Sequence, residues 1–392
     1  MKEVKGIKIY MNQQRLPIEM KGWDQAKIKC FRADLLRWYD QNKRDLPWRR
    51  TRDPYCIWVS EIMLQQTQVA TVIPYYERFI ATLPTIQDLA QAEEQTLLNL
   101  WQGLGYYSRV RNMQQAAQQI MRDYGGKMPR TLVELLALKG IGPYTAAAIG
   151  SMAFDLVEPA LDGNLFRIVA RLFEVEADIA LPKSRKVFMA ILYALIDPER
   201  PGDFNQALMD LGATIMTASN PFPEAHPLAV YDQSYQNGTA ANYPVKSKKV
   251  KQTVHDLLGY MVINPQGQWL MRQHQAQELL AGLWHFPLIE QSLIAESGTS
   301  AEWLEPFNEW WQSEVEGDFI LKLDSDPMKF KPIKHVFSHR IWQVQLVMVR
   351  CEVTAQLPPN CIWCEPSAIG RLPLSTLQQK LLRQVVVESE AI

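Results

Sequence analysis

The stretch Leu135-Leu136-Ala137-Leu138-Lys139-Gly140-Ile141-Gly142-Pro143-Tyr144-Thr145-Ala146-Ala147 decides how the first half of the chain is read. Thr131-Leu132-Val133-Glu134 before it is a capping-box signal for a short helix that stops at Lys139-Gly140, and Thr145 to Phe154 reads as the next helix. Glycines in such a turn let the backbone come close to a partner, and the N–H groups that open the second helix can bind a phosphate oxygen. A helix–hairpin–helix holds DNA in this way without a large positive charge, with Gly140 and Gly142 at the point of approach. Two rival readings are a dinucleotide fingerprint, which needs a strand before its glycines where a capped helix stands here, and a plain tight turn.

Around this hairpin the pattern stays helical from about Trp23 to Tyr231. Phe31, Leu35 and Trp38 recur on one helical face. Asp53-Pro54 interrupts the chain ahead of a further helix, and Pro74 marks a boundary before Tyr75 to Ala81. Leu97 to Trp101 ends at Gly103, Leu165 to Phe173 is another helix, and Phe204 to Leu211 is closed by Gly212. Residues 1–23 read as a polar extension outside the fold, without the apolar core of a signal peptide. The helical domain is expected over 24–235.

Two carboxylates stand out within it. Glu61, in Trp58-Val59-Ser60-Glu61-Ile62-Met63-Leu64-Gln65-Gln66-Thr67, sits among apolar residues one turn before a pair of amides. Desolvation favours the protonated form of such a carboxyl and makes it a candidate general acid. The bland alternative is a helix whose polar face carries Glu and Gln. Asp162, in Leu161-Asp162-Gly163-Asn164-Leu165-Phe166-Arg167-Ile168, stands where a helix begins, and the free N–H groups there favour an ionised carboxylate. Alone it reads as an N-cap. Paired with Glu61 it supplies the second half of an acid-and-anion set, since environments that separate two carboxyl pKa values assign their roles. Gly103-Leu104-Gly105-Tyr106-Tyr107-Ser108-Arg109-Val110-Arg111 adds aromatics that can stack on bases and arginines that can contact phosphate, against a bland reading as core tyrosines.

The totals set limits. At 392 residues the chain accommodates two domains, and 47% hydrophobic with 21% charged residues is ordinary for a globular protein. A formal net charge of −1 means that nucleic-acid binding must come from local patches. No apolar run is long enough to span a bilayer, so no membrane partner is expected. Five irregularly spaced cysteines fit free thiols in a reducing, cytoplasmic setting. The Pro-, Asn- and Gly-rich texture after Asn220, followed by the basic run Lys246 to Lys251, reads as a linker over 236–252. Beyond it, Tyr260 to Ile263, a turn at Asn264 to Gly267 and Trp269 to Arg272 suggest a β-hairpin. One or two strands across His335 to Arg350 and an amphipathic helix over Ser375 to Val387 complete an α+β second domain, 253–392.

These motifs together resemble the MutY-type adenine DNA glycosylases: LPWR (Leu46 to Arg49), SEIMLQQTQVATVIPYYERF, GLGYYSR, LKGIGPYTA, LDGN and FNQALMDLG in order. The resemblance implies an all-α helix-hairpin-helix glycosylase domain and an α+β Nudix-like C-terminal domain. It implies removal of adenine mispaired with 8-oxoguanine, or with guanine, from double-stranded DNA by a monomeric enzyme. It places Glu61 as the acid that protonates adenine N7, Asp162 as the carboxylate that stabilises the oxocarbenium-like sugar, and Asn164 and Tyr144 in support. Arg49, Trp48 and Gln206 match the adenine pocket; Leu64, Gln65, Gln66 and Tyr106 match the residues that enter the base stack. Tyr144 stands where bifunctional relatives carry a lysine, so no Schiff base can form and a monofunctional glycosylase is expected. The alternatives are an endonuclease III-like glycosylase/lyase and a lesion-binding protein without catalysis.

The chain departs from the family where four cysteines hold an iron–sulfur cluster. Met216, Pro223, His226 and Asp232 occupy those positions, so no cluster is expected and packing by Phe222, Tyr231 and the prolines is expected instead. The lone Cys361-Ile362-Trp363-Cys364 reads as buried or edge-strand thiols rather than a metal or redox site, and His335 and His339, in a strand-like run, read as non-metal. Main-chain carbonyls at Leu136, Leu138 and Ile141 are candidates for a structural cation. In the second domain, Gly282-Leu283-Trp284-His285-Phe286-Pro287 and the loop Phe337-Ser338-His339 carry the likeness, with Ser338 as the residue expected to read 8-oxoguanine. Clustered Arg and Glu of a Nudix catalytic box are missing, so pyrophosphatase activity is not expected.

Overall fold

The computed structural model describes residues 16–247, 252–275, 277–291, 299–314, 320–337, 339–352, 357–358 and 360–389, with side chains at 328 and 386–389 left aside. The chain forms two compact units, Met1–Ala92 with Arg111–Lys248 and Glu93–Val110 with Lys249–Ile392. No helix among the described residues is long and apolar enough to cross a membrane.

The first unit is helical: α1 (Gln25–Asn42), α2 (Pro54–Leu64), α3 (Val69–Thr82), α4 (Ile86–Gln91), then, after α5 (Glu94–Trp101) of the second unit, α6 (Ser108–Tyr124), α7 (Leu132–Ala137), α8 (Pro143–Phe154), α9 (Gly163–Phe173), α10 (Arg185–Leu195), α11 (Pro201–Thr214) and α12 (Gln233–Gln236). Its core gathers Phe31 and Leu35 from α1 with Leu165, Val169, Phe188, Ile191, Phe204 and Leu208. Met20 is 2% exposed in this core and Trp23 packs on Phe31 and Phe173, so the end of the expected N-terminal extension belongs to the fold. The expected linker is likewise tied down as far as Ser247: Asn237 and Thr239 donate to Glu174, Ile179 N–H donates to the Val245 carbonyl, and Ser247 N–H to Asp178. Its polar composition marks packed coil stapled by hydrogen bonds rather than a free tether.

Two expected helix breakers lie inside helices. Pro74 lies inside α3, where it forfeits one ladder hydrogen bond near the N-terminal end without ending the helix. Gly212 lies inside α11, not after it; a Cβ there would sit 2.8 Å from Asn164 Cβ, so the glycine permits close packing of α11 on α9.

In the second unit, eight strands among the described residues form one sheet: β1 (Thr253–Ile263), β2 (Trp269–Gln273), β3 (Trp284–His285), β4 (Leu288–Glu290), β5 (Leu321–Leu323), β6 (Ile333–Val336), β7 (Arg340–Cys351) and β8 (Cys361–Cys364). The long pair β1 and β7 runs parallel at the centre, Thr253 opposite Arg340 through Ile263 opposite Arg350. The expected hairpin is present as antiparallel β1 and β2, closed by Gly267 in the left-handed region. Alternation along β1 sends Leu257, Met261 and Ile263 to one face, with α14 (Thr376–Ser389), and Leu258, Tyr260 and Val262 to the other, with α13 (Ser300–Glu314). Helix α5 belongs here too: Gln95 donates to the Arg371 carbonyl and Tyr107 to that of Leu374.

Candidate active site

Helix α2 carries the first site residue. Asp53 caps it by accepting from Tyr55 N–H at 2.8 Å, and Pro54 occupies the first turn, where no donor is needed. Tyr55 and every residue from Ile57 to Met63 are buried, which places Glu61, at 4% exposure, in an apolar wall. Burial raises its pKa to about 7, with the neighbouring charge of Asp162 adding to the rise; the Tyr144 hydrogen bond and Arg49 act against it. That bond runs from Tyr144 Oη on α8 to Glu61 Oε2 at 2.6 Å.

Asp162 is the N-cap of α9. It accepts from Leu165 N–H at 2.8 Å and from Asn164 Nδ2 at 3.0 Å. Arg167 fixes that amide by donating to Asn164 Oδ1 at 2.8 Å and to the Gly212 carbonyl at 2.6 Å. Burial raises the Asp162 pKa above the usual carboxylate value, while the hydrogen bonds from Leu165 and Asn164 and the charge of Arg167 favour the anion. The two carboxyls differ in their donors: Asp162 accepts from the Leu165 N–H and the Asn164 amide, Glu61 from one phenol.

Glu61, Tyr144, Asp162 and Asn164 open onto one cavity of 790 Å³, together with Trp48, Arg49, Gln206, Leu64, Gln65 and Gln66. Trp48 is locked edge-on against Tyr76, 5.3 Å between ring centres. Gln66 is exposed with φ 61°, a left-handed conformation that costs a non-glycine residue on the order of 1 kcal/mol and marks a shaped turn. Tyr106 has φ 49° and is 47% exposed, but it lies in the second unit. Arg109 beside it donates to the Leu104 and Gly105 carbonyls and stacks on Trp101 and Tyr106, so it builds its own turn.

A carboxylate not singled out in the sequence organises the cavity wall. Asp210, 1% exposed on α11, accepts from Arg49 Nη1 and Nη2 at 2.6 and 2.9 Å and from Arg44 Nε at 2.6 Å. Burial disfavours its charge, yet Arg49 and Arg44 hold it below the usual carboxylate range. One signal was available: Asp210 follows Gln206 by four residues, one turn along the same helical face.

The hairpin is formed as expected between α7 and α8. Thr131 Oγ1 accepts from Glu134 N–H at 3.3 Å and donates to the Glu134 carboxylate at 2.6 Å, a cap closed through the hydroxyl. Gly140 has φ 75°, and a Cβ there would lie 2.7 Å from Asn112 Cβ. Gly142 is exposed with nothing of the chain near its missing Cβ, which leaves room for a partner. Of the candidate cation carbonyls at Leu136, Leu138 and Ile141, that of Leu138 already accepts from Ile141 N–H at 3.2 Å.

At the four positions matching the family's cysteines, Met216 and Pro223 are buried, and His226 Nε2 meets Asp232 Oδ2 at 3.0 Å. Leu228 N–H donates to His226 Nδ1, which assigns the proton to Nε2. Asp232 accepts further from Ser234 Oγ and Tyr235 N–H, both at 2.9 Å. A bonded His–Asp pair with no thiolate does not fit an iron–sulfur cluster. Tyr231 packs as expected and donates to Asp34 at 2.6 Å, whereas Phe222 is 42% exposed and contributes little.

In the second unit Phe337 packs edge-on against Trp342 and His335, at 4.8 and 4.6 Å, and His339 is exposed; Ser338 lies outside the described residues. Cys361 and Cys364 are buried on β8, and the described residues hold no group of three or more His, Cys, Asp or Glu side chains placed for a metal.

Comparison with known proteins places this architecture in a class. Residues 59–195 match the HhH-GPD superfamily base excision DNA repair proteins, and residues 259–384 match the NUDIX domain. A thermostable thymine-DNA glycosylase of known structure is similar at TM-score 0.50 and 28% identity, over 54% of this chain and 98% of that one. The adenine DNA glycosylase of Rattus norvegicus is 33% identical over 92% of this chain and 78% of its own length. That of Mus musculus is 46% identical over 54% of this chain, a match that spans 43% of the mouse protein. The chain belongs to the adenine DNA glycosylase family.

Proposed function

We propose that this protein is a monofunctional DNA glycosylase that binds duplex DNA, extrudes adenine paired with 8-oxoguanine or guanine, and hydrolyses its N-glycosidic bond. The supporting observation is the meeting of Glu61, at a pKa of about 7, with Asp162 on one cavity. Neutral Glu61 donates its proton to adenine N7, and the C–N bond then breaks with its electron pair leaving on the base. Asp162, as the anion, faces the positive charge that develops on the sugar. Water adds to the sugar carbon and loses a proton, which leaves free adenine and an abasic site. Extrusion is needed because the bond is out of reach inside the stack; the Gln65 and Gln66 turn at the cavity edge is the element proposed to fill the vacated space. Tyr144 offers no amine for a Schiff base, which favours hydrolysis over strand cleavage.

The reading extends to the second unit as the reader of 8-oxoguanine through the loop at 337–339, and to a fold that works without an iron–sulfur cluster. Single-turnover base release on A:8-oxoguanine, A:G and A:T duplexes, with a borohydride trap, tests it. Release from the first two without a trapped adduct is expected; equal release from A:T, or a trapped adduct, contradicts it.

A further inference from the structure

We infer that Asp210 is a positioning residue for adenine excision, which clamps Arg49 and Arg44 into the cavity wall and keeps their positive charge from discharging the Glu61 acid. This rests on the function proposed above.

The clamp is built, not incidental. Asp210 lies on α11 with 1% exposure and receives both Nη groups of Arg49, Nε of Arg44 and, at 3.3 Å, the Arg44 backbone N–H. Arg49 also donates to the Arg44 carbonyl at 3.4 Å, so three of the five hydrogen bonds a guanidinium can donate are spent on the clamp. Both arginines line the cavity that holds Glu61. The charged and titratable groups facing Glu61 are Tyr144 from α8, Asp162 at the start of α9 and Arg49 from the turn before α2. Those facing Asp210 are Arg44, Arg49 and, from α1, Tyr39, whose ring lies 5.9 Å from the Arg49 guanidinium.

A general acid must keep its proton until the base arrives. A cation beside a buried carboxyl favours ionisation; besides Arg44 and Arg49 the cavity is lined by Arg52, paired with Asp155, and Arg200, paired with Asp40 and Asp203. With Asp210 ionised, the Arg44–Asp210–Arg49 group carries one net positive charge; without it, two. Bidentate pairing also fixes the guanidinium plane, which fixes the edge that Arg49 turns to the base. The clamp therefore serves both charge balance and aim.

Asp210→Asn keeps shape and removes the charge. The test is single-turnover adenine release from an A:8-oxoguanine duplex between pH 5 and 9, for the parent, Asp210→Asn and Asp210→Glu. The limb where the rate falls with rising pH is expected to move down by about one unit in Asp210→Asn, with a loss of about tenfold at pH 7.5 that largely recovers near pH 5.5. Asp210→Glu should restore the parent limb. A rate lowered equally at every pH, with the limb unmoved, overturns the inference and leaves a merely structural role. Should Asp210→Asn fail to fold, Arg44→Met and Arg49→Met are each compared with the parent: each takes one cation from the wall and should raise the limb, and two unmoved limbs reject the idea. A parent protein that releases no adenine sinks the proposed function itself, an outcome separate from these.

Discussion

Tyr144 Oη donates a 2.6 Å hydrogen bond to Glu61 Oε2, joining the hairpin proposed to hold DNA to the acid proposed to protonate the base. Tyr144 is the second residue of α8, directly after the Gly140–Gly142 turn and Pro143, so the hairpin and the acid are one hydrogen bond apart. The phenol favours the charged carboxylate and so holds the Glu61 pKa down against burial.

Tyr144→Phe removes that donor. The pH limb of base release should move upward, because Glu61 then keeps its proton to higher pH. The maximal rate should fall about tenfold, from roughly 1.4 kcal/mol of lost positioning. A limb that moves downward in single-turnover profiles would show that the phenol does not act on Glu61.

Gly212→Ala places a methyl 2.8 Å from Asn164 Cβ, and Asn164 is the amide that donates to Asp162. Overpacking of this kind costs about 1–3 kcal/mol. Thermal unfolding should report the loss, and base release should slow more than DNA binding weakens. Unchanged melting and rate would mean that α9 and α11 part without consequence.

Gly140→Ala meets both a strained φ of 75° and Asn112 at 2.7 Å. Duplex affinity, matched or mispaired, is expected to fall about tenfold in titrations at fixed salt, since backbone contacts carry no sequence preference. Loss confined to mispaired duplexes would argue for a different role of the turn.

In the second unit His274 and His285 stack at 3.6 Å between ring centres and are buried. Burial lowers the His274 pKa to about 4 and that of His285 well below its usual value. The unfolded chain binds these protons near pH 6.5 and the folded unit does not, so stability is present above that value and lost as pH falls toward 4. The melting temperature should drop across this window, and His274→Phe should flatten the drop. An identical slope in that variant would place the acid sensitivity elsewhere.

Much of the site was legible because its chemistry is local. Glu61 announced itself by apolar neighbours, Asp162 by its place before a helix, and the hairpin by glycines at a turn. The Arg44–Asp210–Arg49 clamp was not legible, since it joins residues 161 and 166 positions apart. Burial of Asp162 was equally hidden, and with it the upward pull that offsets the helix start. By local rule Pro74 and Gly212 are helix breakers, whereas tertiary packing keeps both inside helices. The His226–Asp232 bond adds to the expected packing of Tyr231, and it was not legible because a polar pair shows only once the chain has folded back on itself.

The most direct test of the account is adenine release by Glu61→Gln against the parent on an A:8-oxoguanine duplex, under single turnover and with binding measured in parallel. The amide should bind the duplex as the parent does and release base at least about a hundredfold more slowly, while the parent rate falls as pH rises through about 7. Release by Glu61→Gln at the parent rate would contradict the claim that this buried carboxyl is the proton donor.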